Sequence, residues 1–160
     1  MAEAISNTSP LVYLYRIGGL EWLQHLFAEI WAPQAVLDEL KEGVRRGYDV
    51  PKPEHYRWLR VKNPTSIPSE WLALDFGPGE LAAMALALEY RMKTVLLDDL
   101  AARRTAQAAG LEVWGTLKVL LEAKAAGIIQ SVEPSVDRLA ESGMWMSDDI
   151  RRRILRLTEE

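Results

Sequence analysis

A chain of 160 residues is about the size of one domain, and at 49% hydrophobic residues it can bury a sizeable core. It has no cysteine and only two histidines, His25 and His55, which excludes disulfides, thiolate metal sites and cysteine nucleophiles and leaves little for a Ser/His/Asp triad. With a net charge of −4 it is a poor general binder of nucleic acid, because that affinity comes mainly from Lys and Arg neutralising phosphates, so such a role needs a local basic patch or metal ions.

The first residues, MAEAISNTSP, lack a basic region and a long apolar stretch, so no signal peptide is expected and the default location is cytoplasmic. No apolar run approaches the roughly 20 residues needed to span a bilayer, so no membrane partner is expected. Residues 2–6 read as a strand that runs into the polar Asn7-Thr8-Ser9-Pro10, and Pro10 suits the first turn of a helix. Leu11, Leu14, Tyr15 and Ile17 continue at helical spacing until Gly18-Gly19, and residues 20–28 put Leu20, Leu23 and Phe27 on one helical face. Residues 29–32 form a short strand, closed by Pro33, which opens a helix through Lys41 that Gly43 ends.

Residues 44–56 are charged, contain Gly47, Pro51 and Pro53, and read as a loop or as poorly ordered. Residues 58–61 alternate like an edge strand, and residues 63–70 read as a connection. After Gly77-Pro78-Gly79 a helix runs from Glu80 to about Tyr90, with Leu81, Met84, Ala85 and Leu88 as its core stripe. Residues 94–97 are the clearest strand, apolar on both faces as in a buried parallel sheet. Asp98-Asp99 end it, a helix follows to Ala109 with Gly110 as its cap, and residues 111–114 are another strand. Gly115 then leads a helix through Ala126, and residues 131–158 read as two helices around Gly143. Strands that alternate with helices mean a parallel α/β sheet.

Ligands of open parallel sheets bind beyond the carboxyl ends of the strands. Two such ends carry chemistry here, Asn7-Thr8-Ser9 and Asp98-Asp99. Adjacent carboxylates repel, and a bound cation removes that cost. Glu80 lies in the first turn of its helix, in one row with Met84 and Leu88. A carboxylate on a core-facing row is costly unless paired or metal-bound, and the plainer alternative is an ordinary charge at a helix N-terminus. At about 100° per residue, Glu39 flanks the apolar stripe of Val36, Leu37 and Leu40, whereas Asp38 lies further toward solvent. A solvated helical face is the alternative for both.

These blocks together resemble the PIN-domain family, in its VapC-like branch of bacterial and archaeal nucleases. The resemblance is carried by Ile5-Ser6-Asn7-Thr8-Ser9-Pro10-Leu11, by Pro33-Gln34-Ala35-Val36-Leu37-Asp38-Glu39-Leu40, by Gly79-Glu80-Leu81-Ala82-Ala83-Met84-Ala85, and by Leu96-Leu97-Asp98-Asp99 with Ala102-Arg103-Arg104. Gly115-Thr116-Leu117 and Glu122-Ala123-Lys124-Ala125-Ala126-Gly127 fit the same branch. No block is specific alone, but their order and spacing cover nearly the whole chain. The resemblance implies one domain over residues 1–160, a three-layer α/β/α fold with a central, mostly parallel sheet of four to five short strands, and a C-terminal helical extension over residues 128–160.

It further implies a ribonuclease in which acidic side chains hold Mg²⁺ or Mn²⁺ for hydrolysis of phosphodiester bonds. By position the second, third and fourth acids are Glu39, Glu80 and Asp99, with Asp98 as an auxiliary and Ser9 as a polar neighbour of the site. The family's first acid falls on Asn7, whose amide oxygen can still ligate a hard cation but adds no negative charge. That departure favours a rival reading, a PIN-like module that only binds RNA or protein. The resemblance also implies an antitoxin partner and a homodimer through the apolar helices of Leu11, Leu14, Tyr15, Leu20, Leu23 and Phe27.

Among the basic groups, Arg103-Arg104 follow the acidic pair by one helical turn and are the candidates for substrate phosphate, against the plainer reading of a solvated charge run. Of the six tryptophans, Trp22 and Trp31 are expected to pack, while Trp58, Trp71 and Trp145 are candidates for a partner surface. A nucleotide-binding enzyme is disfavoured, since there is no G-x-x-x-x-G-K-[ST] and Gly77-Pro78-Gly79 lacks the rest of a dinucleotide fingerprint.

Overall fold

The structure is a computed structural model that describes residues 2–91 and 93–160. Five parallel strands form one sheet: β1 (Ala4–Ser6), β2 (Ile30–Ala32), β3 (Leu59–Val61), β4 (Thr94–Leu96) and β5 (Val113–Trp114), in the order β3-β2-β1-β4-β5. Successive strand side chains go to opposite faces, and the core divides accordingly. Ala4, Ile30, Ala32 and Leu96 join one apolar cluster, and Ile5, Trp31, Val95 and Leu97 join the other. Helices α1 (Thr8–Arg16), α2 (Trp22–Leu26), α3 (Gln34–Arg45) and α7 (Thr116–Ala125) supply the first cluster, together with α8 (Glu133–Glu141) and α9 (Asp148–Leu157). Helices α5 (Pro78–Glu89) and α6 (Leu100–Ala108), with Trp71 of the short α4 (Ser69–Leu72), supply the second. The result is three layers, α/β/α. Among the described residues no helix is long and apolar enough to cross a membrane.

The strand order reverses direction between β1 and β4. From β1 the chain steps outward through β2 to β3, then returns to the other side of β1 as β4 and continues to β5. Such a switch point leaves a crevice at the carboxyl ends of the two central strands. Asn7 follows β1 and Asp98-Asp99 follow β4, so the two polar strand ends lie side by side. The Asn7 backbone N–H donates to the Leu96 carbonyl at 3.1 Å across that junction.

Several elements differ from the sequence expectation for tertiary reasons. Helix α3 continues through Gly43 to Arg45. Gly43 is buried there because Val50 packs against it; an added Cβ would lie 3.0 Å from Val50 Cγ2. The turn that ends α3 falls at Gly47, whose φ of +79° suits glycine, and the Tyr48 N–H closes it on the Gly43 carbonyl at 2.9 Å. Residues 44–56 are therefore built rather than loose, with a 3-10 turn at Pro53–His55. Helix α5 is buried from Ala82 through Ala87 rather than along one stripe, because its small residues let it pack closely against α3, β1 and β4. Leu81 and Leu88, expected on its core stripe, are only half-buried.

Trp71 is buried in the second core rather than on a partner surface, whereas Trp145 is 83% exposed. The helices expected to pair two copies are spent on the chain's own core, with Leu11, Leu14, Leu20, Leu23 and Phe27 all buried. Tyr15, the remaining residue of that set, is half-buried.

Candidate active site

Three segments bring their polar side chains to the switch point. Helix α1 starts directly after β1, and its Thr8 hydroxyl donates to Glu39 Oε1 at 2.5 Å. Helix α3 presents Glu39 half-buried and Asp38 exposed, as the position of Glu39 beside the apolar stripe requires. The first turn of α5 holds the other carboxylate oxygen, since the Gly79 N–H donates to Glu39 Oε2 at 3.2 Å. Glu39 is thus fixed between the start of α1 and the start of α5.

Glu80 is the next residue of α5 and is half-buried. Burial pushes its carboxyl above the ordinary value, and the negative charges of Asp99 and Glu39 push the same way. The backbone of Gly77, the N-cap residue, partly offsets this. Glu80 therefore feels both other acids, which an isolated helix-terminal charge would not. Asp99 is exposed and caps α6, accepting the Ala102 N–H on Oδ2 at 2.9 Å.

Asn7 sits at the N-cap position of α1 and is 5% exposed, yet its side chain caps nothing and makes no hydrogen bond among the described residues. Together, Asn7, Glu39, Glu80 and Asp99 offer oxygen donors only, the chemistry suited to Mg²⁺ or Mn²⁺ rather than to zinc. Among the described residues no three acidic or histidine side chains are gathered closely enough to enclose one ion. The fit is one of donor type, of mutual repulsion and of an unused amide.

Asp98 is placed differently from its neighbour. Its Oδ1 accepts the Thr116 N–H and its Oδ2 the Thr116 hydroxyl, both at 2.7 Å. Burial pushes its carboxyl up, while the two Thr116 bonds and the nearby Arg103 pull it down. With both oxygens engaged, Asp98 joins the end of β4 to the start of α7. Replacing Asp98 by Ala should leave the buried Thr116 N–H without an acceptor and lower stability by about 2 kcal/mol, measurable as a fall in thermal midpoint. An unchanged midpoint would show that this bond anchors nothing.

Arg103 lies in the same corner. An added Cβ on Gly115 would meet Arg103 Nη1 at 3.1 Å and Asp98 Oδ1 at 3.3 Å, so the guanidinium and the Asp98 carboxylate both lie close against this glycine. Arg103 makes no ion pair among the described residues, and its buried Nε has no hydrogen-bond partner. Arg104 is exposed and lies outside the groove wall that Arg103 helps form. The other basic groups are largely neutralised nearby, Arg45 and Arg46 by Glu42, Arg151 by Glu133 and Asp137, and Arg152 by Asp149. Ser9, Asp98, Asp99, Arg103 and Trp145 are among the residues that line a groove of about 650 Å³. The residues that sequence reasoning did not assign to the site are Thr8, Gly79 and Thr116, which hold its carboxylates. Thr8 and Thr116 each open a helix just beyond a strand end, the one signal that could have found them.

A parallel sheet ordered 3-2-1-4-5 and covered by helices on both faces is the architecture of a PIN domain. The sequence agrees: residues 3–160 match the family model described as DUF3368: PIN domain, and the chain belongs to that family. Among solved structures it resembles a PilT N-terminus domain protein from the hyperthermophilic archaeon Sulfolobus solfataricus, with a TM-score of 0.52 over 91% of this chain and 97% of that one. At 14% identity that likeness concerns the fold alone. No curated protein matches the sequence. PIN domains are generally nucleases that use divalent metal ions and bind nucleic acid.

Proposed function

We propose that this chain is a cytoplasmic, divalent-metal-dependent endoribonuclease of the VapC-like branch, acting as the toxin of a toxin–antitoxin pair. The observation that carries the catalytic part is geometric: Glu39 is held between Thr8 and the Gly79 N–H, directly beside Glu80, three positions that the sequence keeps far apart. The repulsion among Glu39, Glu80 and Asp99 is an unpaid cost in the free protein that a divalent cation offsets. Asn7, Glu39, Glu80 and Asp99 would hold that cation. When bound, it supplies Lewis-acid activation of water and charge neutralisation at the phosphate.

The remaining chemistry falls to the chain's own groups. Thr8 and the Gly79 N–H orient the Glu39 carboxylate. Arg103, which lines the groove together with Asp99, would donate to a phosphate oxygen there. Arg104, outside the groove, would at most contact RNA further along the strand. Ser9 lines the groove as a neutral hydrogen-bonding group.

Purified protein should cleave RNA with Mn²⁺ or Mg²⁺ and stop when EDTA is added; cleavage that persists in EDTA would sink the reading. The rival, an RNA- or protein-binding module without hydrolytic activity, is favoured by one residue, Asn7 in place of an acid. Calorimetric titration with Mn²⁺ separates the two, since binding that depends on Asp99 supports the nuclease and absence of binding supports the module.

A further inference from the structure

Strand β3 is an edge of the sheet, paired only with β2 among the described residues. The Lys62 N–H donates to the Ala32 carbonyl at 3.1 Å. Peptide groups alternate in direction along a strand, so the backbone groups of Arg60 and Lys62 face β2 and those of Leu59 and Val61 face away. The Leu59 N–H turns back onto the Tyr56 carbonyl at 3.0 Å, but the Val61 N–H makes no hydrogen bond among the described residues. The side chains divide as well. Leu59 packs against the first core, and Val61, two residues on and 48% exposed, goes to the same face. A surface hollow of about 510 Å³ lies there beside α3, with apolar walls from Leu37, Tyr56, Leu59 and Val61. Its charged residues are the cations Lys41 and Arg57 and the acid Glu54. Arg60 and Lys62 go to the opposite face. Arg60 shares a solvent-exposed pair with Glu29 at 3.5 Å. Lys62 lies over the rings of Trp31 and Tyr90 and makes no ion pair among the described residues, whereas Lys93, on the same indole, is paired with Glu3.

These features select an occupant. A second copy joined edge to edge would set Arg60 and Lys62 against the same cations of its neighbour, and like charges directly opposite one another destabilise a strand pair. An RNA backbone would bring phosphate oxygens, which are acceptors, against the outward carbonyls of Leu59 and Val61. A peptide carries one donor and one acceptor per residue, and such pairing is how extended peptides join an exposed sheet edge. Its side chains alternate between faces, so apolar ones would enter the hollow beside Val61 while acidic ones meet Arg60 and Lys62.

We propose that the β3 edge docks an extended peptide segment in which apolar and acidic residues alternate, added to the sheet as a further strand. The proposal is independent of the ribonuclease reading. Strand β2 separates this edge from the switch point, and none of Asn7, Glu39, Glu80 and Asp99 lines the hollow.

The test uses the full chain and a fluorescein-labelled peptide of about eight residues, within the usual length of a strand, with valine and glutamate alternating. Binding is read by anisotropy. Val61→Pro removes the outward N–H at a place where an edge strand tolerates proline, and Val61→Ala controls for the lost side chain. The proline variant should bind about fivefold more weakly than the alanine variant, the effect of one hydrogen bond. Lys62→Glu, on an exposed side chain, should also weaken binding by about fivefold. A peptide of the same composition with its valines and glutamates in two blocks should bind more weakly than the alternating one. Thermal midpoints check that each variant is folded; should Val61→Pro unfold the protein, the block peptide and Lys62→Glu still decide. Equal affinity for the alternating and block peptides, or of the proline and alanine variants for the alternating one, overturns strand addition. Absence of binding at millimolar peptide overturns docking and leaves the cations as protection of a bare edge against self-pairing. Single-stranded RNA that displaces the peptide and loses affinity in Lys62→Glu assigns the surface to RNA and overturns the proposal as well. RNA cleavage, present or absent, bears on none of these outcomes, so the two readings fail separately.

Discussion

Asp99→Asn is expected to slow RNA cleavage by about a thousandfold, several kcal/mol of transition-state charge stabilisation, while the protein unfolds at the same temperature. The two halves of that expectation come from different oxygens. Asp99 Oδ2 caps α6 through the Ala102 N–H, and asparagine caps a helix about as well as aspartate. Fold and helix are therefore retained. What disappears is one negative charge at the mouth of the site, and with it one of the influences that hold the Glu80 carboxyl above its ordinary value. Single-turnover cleavage in Mn²⁺ and a thermal melt together measure both halves. Equal rates for the variant and its parent would falsify the assignment of Asp99 to the reaction.

Gly79→Ala should lower cleavage by about a hundredfold, the size of effect that an ångström of misplacement can produce. A methyl group at this buried position would lie 2.9 Å from Glu39 Cδ and nearer still to Oε1. Glu39 must then leave, and its bonds from Thr8 and from the Gly79 N–H are lost with it. The obstructing atoms are the end of a flexible side chain, so the backbone need not yield. Alanine also favours a helix over glycine by about 1 kcal/mol, so the thermal midpoint should hold or rise slightly. A variant that is well folded yet inactive distinguishes positioning from stability. One that cuts like the parent would show that the held orientation of Glu39 is not used.

How much of this was legible in the sequence depended on whether the cause was local. The apolar run around Val95 announced a strand buried on both faces and the runs around Ile5 and Trp31 announced short strands, and β1, β2 and β4 lie within a residue or two of where the runs placed them. Helical periodicity alone separated half-buried Glu39 from exposed Asp38. By contrast, Gly43 looked like a helix stop, and only the packing of Val50 explains why it sits inside α3. Leu11, Leu14 and Leu23 looked like a face for a second copy because a periodic stripe is apolar whether it meets another chain or its own. Asp98 and Asp99 are identical neighbours in the sequence. What separates them is Thr116, eighteen residues on, which occupies both oxygens of Asp98 and neither of Asp99.

The pairing of β1 with β4 joins Ala4 to Thr94 and Ser6 to Leu96, partners about ninety residues apart. Contacts so distant along the chain form late, since a long loop must close before they give any return. While a ribosome is still making the first half, Asn7 and Glu39 have emerged without Asp99 or the α6 corner that carries Arg103. On the proposed function, the half-made polypeptide has no cutting centre, and one can form only once β4 has paired with β1.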